Sequence, residues 1–124
     1  MKQNRPVFMD LRQIRLPITG WVSILHRISG IALVLSIPFG VYLLGLSLSG
    51  PEGFAAAAAI LDSGSMRLLL LVLGWSFLHH LLAGVRFLML DLQLGIDRPA
   101  ARKSAWIAVT AAVALLVLGG GLLL

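Results

Sequence analysis

The sequence predicts an all-α membrane protein that crosses the bilayer as three transmembrane helices. Three observations carry that expectation. Charged residues make up 12% of the chain against 59% hydrophobic, where soluble domains carry about 25% charged. Three apolar stretches are long enough to span. The basic residues gather in alternate connecting segments. The chain has 124 residues, a natural size for one domain, so residues 1–124 are expected to form a single unit.

A helix needs about 20 predominantly apolar residues to cross the hydrocarbon core. Ile28 to Leu48 contains no charge, Leu68 to Val85 contains none beyond what His79 or His80 carries, and Ser104 to Leu124 contains none. With their polar flanks these give expected helices at about residues 22–48, 67–91 and 104–124, preceded by a cytoplasmic N-terminal segment, 1–21. The first stretch is longer than a signal-peptide core and no small-residue cleavage site stands out, so it is expected to remain as a span. Pro38 lies inside it, which membrane helices tolerate. Ser49-Gly50-Pro51-Glu52-Gly53 breaks the chain after the first span, and the Ala55–Ala59 run that follows has the look of a short interfacial helix. Gly95-Ile96-Asp97-Arg98-Pro99 breaks it after the second.

The net charge is +5, but its placement says more than its size. Lys2, Arg5, Arg12 and Arg15 precede the first span, and Arg98, Arg102 and Lys103 lie between the second and third. The first loop, Gly50 to Met66, carries only Glu52 and Asp62. The positive-inside rule then puts the N-terminus and second loop in the cytoplasm and the first loop and Leu124 outside. Nucleic-acid binding is not expected, because long apolar runs interrupt the basic residues. There are no cysteines, which excludes disulfides, thiolate metal sites and catalytic thiols. Any redox chemistry must use a bound cofactor.

Polar groups within spans are costly and therefore functional candidates. Ser23, His26, Arg27 and Gly30 share one helical face at the cytoplasmic entrance of span one. Two readings are open: the face holds a polar headgroup, or Arg27 snorkels to lipid phosphate beside an interfacial His26. On span two, His80, Gly84, Phe87 and Asp91 share a face. With Asp91 at the surface, His80 lies about 16 Å deeper, near mid-membrane. A neutral imidazole there suits axial ligation of haem iron, and Gly84 one turn away leaves room for a flat macrocycle. A histidine hydrogen-bonded between helices accounts equally for the spacing, and His79 points about 100° away from His80. Span three has no histidine and His26 is too shallow. A second axial ligand would have to come from another polypeptide or be absent.

These two clusters, in this order on spans one and two, resemble the cytochrome b membrane anchors of succinate dehydrogenase, respiratory complex II. The likeness covers nearly the whole chain. Arg5-Pro6-Val7, Asp10-Leu11 and Ile14-Arg15 followed by Pro17-Ile18-Thr19 are similar to the family's N-terminal segment. Ser23-Ile24-Leu25-His26-Arg27 with Ser29-Gly30 is similar to its quinone-side signature, and Ser49 with Pro51-Glu52-Gly53-Phe54 to the outer loop of bacterial members. His80 with Gly84-Val85-Arg86 and Asp91 is similar to its haem-ligand signature. Either signature alone is weak; together they are specific. One departure is Phe87, where many relatives carry a second histidine.

The resemblance implies a multi-pass protein of the bacterial inner membrane that packs with a second small membrane-anchor subunit. It implies haem b shared between the two anchors and ubiquinone as substrate. Succinate is oxidised on a flavoprotein subunit, and electrons reach quinone through an iron–sulfur subunit, so this chain performs no dicarboxylate chemistry and has no catalytic residue for it. The axial ligand, four residues before the glycine, maps to His80 and not His79. Ser23 and Arg27 map to the quinone site and His26 to the vicinity of the haem propionates. Arg86 is expected either at a propionate or snorkelling to the surface, and Asp91 either paired with a basic residue or capping its span. Two other readings fit three spans: the anchor of a quinol:fumarate reductase, and a non-redox membrane adaptor with no chromophore. The ubiquinone-type N-terminal segment favours succinate oxidation.

Overall fold

A computed structural model describes residues 15–123, with side chains through Gly120. The basic residues Lys2, Arg5 and Arg12 and the N-terminal motifs through Ile14 lie outside the described residues. The described residues form four helices: α1 (Ile18–Ser47), α2 (Pro51–Asp62), α3 (Gly64–Asp91) and α4 (Arg98–Leu123). Three of them, α1, α3 and α4, are long and apolar enough to cross a membrane.

The helices run past the apolar stretches that announce them. α1 starts directly after Pro17, whose carbonyl accepts from the Gly20 and Trp21 amides at 2.9 and 3.2 Å. It then continues unbroken through Pro38. α4 starts at Arg98, so Arg102 and Lys103 lie on its first turns and not in a loop. Hydropathy reads only what the hydrocarbon will accept, whereas backbone hydrogen bonding carries a helix on into the headgroup region.

The connection from α1 to α2 is tight. Gly50 has φ 120°, a conformation open to glycine. Pro51 then occupies the first turn of α2, where its missing N–H costs nothing. A side chain at Gly53 would collide with Ser49 and the Leu46 carbonyl. α2 thereby folds back against the end of α1 and touches α3. Asp62 at its end pairs with Arg67 on α3. Both side chains are more than half exposed, so the pair contributes at most about 1 kcal/mol.

α3 is the central helix, antiparallel to both of its long neighbours. Helices in lipid gain no hydrophobic drive toward one another, so they associate through close packing of small residues and interhelical hydrogen bonds. The buried positions follow that rule: Val22 and Ser29 on α1, Ser76, His79, Ala83 and Arg86 on α3, and Ala105, Ala108 and Ala112 on α4. Val22, Ala83 and Ala105 meet where the three spans converge, flanked by Ile18, Phe87 and Val109. Beside them Arg86 ties α3 to α4: its Nε donates to Ser104 Oγ at 2.9 Å and its Nη2 to the Ala101 carbonyl at 3.1 Å. The outward faces are largely apolar, with Leu35 72% and Leu118 68% exposed.

Substituting Ala83→Leu is expected to destabilise the bundle by about 1–3 kcal/mol, because the convergence has no room for extra methylenes. Leu118→Ala on the outer face should stay within about 0.5 kcal/mol. Loss of helical signal along a titration from mild detergent into SDS measures both.

Candidate functional site: two imidazoles clasped between α1 and α3

The first polar cluster rides on the N-terminal third of α1 and the second on the middle of α3, and the antiparallel crossing brings them face to face. The His26 and His80 rings stack with centroids 4.0 Å apart and planes 6° from parallel. Expected at the entrance of span one, His26 is in fact level with His80. The reason is the early start of α1: His26 is eight residues, about 12 Å, inside the helix.

Two glycines make the crossing possible. The sequence carries the same spacing twice, His26-x3-Gly30 on α1 and His80-x3-Gly84 on α3, and the structure interlocks them. The His80 ring sits on Gly30, where a Cβ would come within 2.8 Å of its Cε1. The His26 ring sits on Gly84, where a Cβ would lie 3.4 Å from its Nε2. The space beside Gly84 thus seats an imidazole from the neighbouring helix. Phe87 closes one side, edge-on to His26 with centroids 5.2 Å apart.

The polar atoms of the clasp fix a tautomer. His80 Nδ1 lies 2.9 Å from the His26 carbonyl oxygen. A carbonyl can only accept, so Nδ1 carries the hydrogen and donates it. The same hydrogen is shared with Ser29 Oγ at 3.2 Å, and the Ser29 hydroxyl donates to the same carbonyl at 2.9 Å. The neutral ring then keeps its lone pair on Nε2. Each bond contributes about 0.5–1.5 kcal/mol net and the stack a similar amount. The carbonyl, at 2.9 Å, is the nearer partner, and Ser29, at 3.2 Å, the secondary one.

His79 is placed differently. It is fully enclosed, stacks on Trp75 with centroids 5.1 Å apart, and neither ring nitrogen has a hydrogen-bond partner among the described residues. His80 is only half-buried. Of the other expected site residues, Ser23 is half-buried one turn before the exposed Arg27 on α1, at the same end of the bundle as the clasp. Arg86 is directed away from the imidazoles to Ser104 and Ala101 on α4. Asp91 is exposed at the end of α3. Among the described residues no group of three or more histidines, cysteines or carboxylates gathers as a metal site.

The sequence places Ser29 and Gly30 in the quinone-side signature without giving either an individual role. The signal was present, since Ser29 follows His26 by three residues and a small residue beside a polar one marks a close helix contact.

Comparison with known proteins bears on what this clasp serves. The family model described as succinate dehydrogenase/fumarate reductase transmembrane subunit matches residues 1–119. The chain is 35% identical to the succinate dehydrogenase cytochrome b556 subunit of Paracoccus denitrificans over 115 residues, covering 93% of this chain and 88% of that one. It is 34% identical to the protein of the same name from Coxiella burnetii over 121 residues, 97% of each chain.

The glycine seats give a graded expectation. Gly30→Ala should cost about 1–3 kcal/mol by forcing the His80 ring aside, and Gly84→Ala less. Gly40→Ala, with nothing within 4 Å of the added carbon, should cost nothing in the same SDS titration. Equal losses at Gly30 and Gly40 would contradict the ring seat.

Proposed function

The chain belongs to the succinate dehydrogenase/fumarate reductase transmembrane subunit family, and on that premise we propose that it is the haem b-binding anchor of a succinate:ubiquinone oxidoreductase. It is a multi-pass protein of the bacterial inner membrane, as its three spans and its relatives fit. In this reading it anchors the flavoprotein and iron–sulfur subunits, forms part of the ubiquinone site, and shares its haem with a second small membrane-anchor subunit.

The observation that carries the reading is the state of the His80 ring. Ligation to haem iron needs a neutral imidazole with a free lone pair, and ligating histidines commonly donate their other ring N–H to a carbonyl that holds the ring in place. His80 has that arrangement, with Nδ1–H on the His26 carbonyl and Nε2 left for the metal. Its ring is half-buried, where His79 is sealed inside the bundle. Haem b, when bound, would supply a one-electron redox centre. The second axial ligand is assigned to the other anchor subunit. His26 is not assigned to the iron, because its ring is stacked on that of His80. The wide uncovered surface of α1, with only Val22 and Ser29 buried, supports a partner there.

Ser23 and Arg27 are assigned to the quinone. Its carbonyl oxygens gain negative charge on reduction, and a hydroxyl donor with a fixed cation stabilises that charge in a poorly hydrated pocket. Arg27 acts electrostatically through its guanidinium, while Ser23 can donate to the oxygen and relay a proton from water. His26 is the stronger candidate for a haem propionate, since Arg86 already commits two donors to α4. A cytoplasmic N-terminus is supported by the charge distribution. Arg98, Arg102 and Lys103 lie at the histidine end of the bundle, whereas Arg67 at the other end is paired with Asp62.

In the purified complex, His80→Ala should abolish the low-spin haem spectrum, while His79→Ala and Ser29→Ala keep it. Loss of the spectrum in His79→Ala with retention in His80→Ala would reject the ligand assignment. Arg27→Ala should lower quinone reduction by roughly 100-fold with the haem spectrum unchanged, and unaltered quinone kinetics would remove Arg27 from the site.

A further inference from the structure

A half-open groove of about 770 Å³ runs between α2 and α4, floored by α3. It lies at the end of the bundle opposite the imidazole clasp and includes none of the residues assigned to haem or quinone. Its walls are apolar, with Leu71, Phe77 and Leu116 among them, and Gly119 opens its α4 side. Asp62 and Arg67 line it as well. These two are its charged residues, and they sit together near the ends of α2 and α3, at one membrane surface.

The dimensions and the charges select an occupant. Arg67 and Phe77 are ten residues apart on α3, about 15 Å, which is half of the roughly 30 Å hydrocarbon core. The groove is therefore one leaflet deep, charged at the surface end and apolar to the midplane. We propose that it holds a structural phospholipid with a zwitterionic, phosphoethanolamine-type headgroup. One acyl chain lies along α3 between α2 and α4, the phosphate on Arg67 and the ammonium on Asp62. The exposed Asp62–Arg67 pair is of the weak surface kind, so exchanging it for contacts with a headgroup is easily offset. An anionic lipid without an amine would set its phosphate against Asp62, and a neutral quinone head would match neither charge.

The test uses the full chain in the complex with which it purifies, washed in mild detergent and exposed to equal amounts of phosphatidylethanolamine and phosphatidylglycerol. Retained lipid is counted by mass spectrometry. One phosphatidylethanolamine per chain is expected, retained at least tenfold over phosphatidylglycerol. Asp62→Asn, an exposed change that does not threaten folding, should erase that preference. Gly119→Phe should fill the groove and reduce retention to background, since no atom lies within 4 Å of its added carbon. Equal retention of both lipids by the wild type would overturn the proposal, as would an unchanged preference in Asp62→Asn. This chain has no cysteines of its own, so Gly119→Cys places a single thiol on it, at the groove. Crosslinking from it to another protein subunit, in place of lipid, would show that a helix occupies the groove and would equally overturn the proposal. None of these measurements reads haem or quinone, so they stand or fall apart from the proposed function.

Discussion

The close crossing of α1 and α3 is the contact on which the rest of this structure depends. Inside a bilayer, apolar surface gains little by leaving lipid for protein, so two helices hold together only where their backbones approach closely or polar groups pair. Both happen at one place. Gly30 and Gly84 remove side chains where imidazoles must lie, and each helix lends its histidine to the other's glycine. The His26 carbonyl and Ser29 then hold His80 by its Nδ1. Packing and polar satisfaction are therefore the same contact, and the nitrogen that remains free is a consequence of how the helices are joined.

The second joint, between α3 and α4, uses different means to the same end. Alanines at 105, 108 and 112 let α4 approach, and Arg86 crosses to Ser104 and the Ala101 carbonyl. A buried guanidinium is expensive unless its donors are used, and here a hydroxyl and a carbonyl use them. The two joints share α3, with Ala83 and Arg86 on its fully buried face and His80 and Gly84 on the half-buried face beside it. α3 is thus fixed from both sides.

The two ends of the bundle have different chemistry. At one end lie the clasp, Ser23, Arg27 and the basic start of α4. At the other, α2 folds back over α1 through Gly50 and Gly53, leaving an apolar groove with a single ion pair at its mouth. The polar groups thus gather at one end of the spans, and the apolar groove opens at the other.

Much of this was written in the chain. The three spans follow from Ile28–Leu48, Leu68–Val85 and Ser104–Leu124 because the hydrocarbon core excludes charge, a one-dimensional constraint that any window of sequence meets or fails. The two polar clusters were legible for the same reason, since a histidine or arginine among aliphatic residues needs an explanation. The helix starts were not, because backbone hydrogen bonding and not hydropathy carries α1 back to Ile18 and α4 to Arg98. Nor were the partners of each polar group. Sequence spacing puts Gly84 on the face of His80, but only the crossing shows that the ring over Gly84 comes from His26 and that Arg86 turns to α4. Those contacts depend on the relative height and rotation of two helices, which residues far apart in the chain decide together.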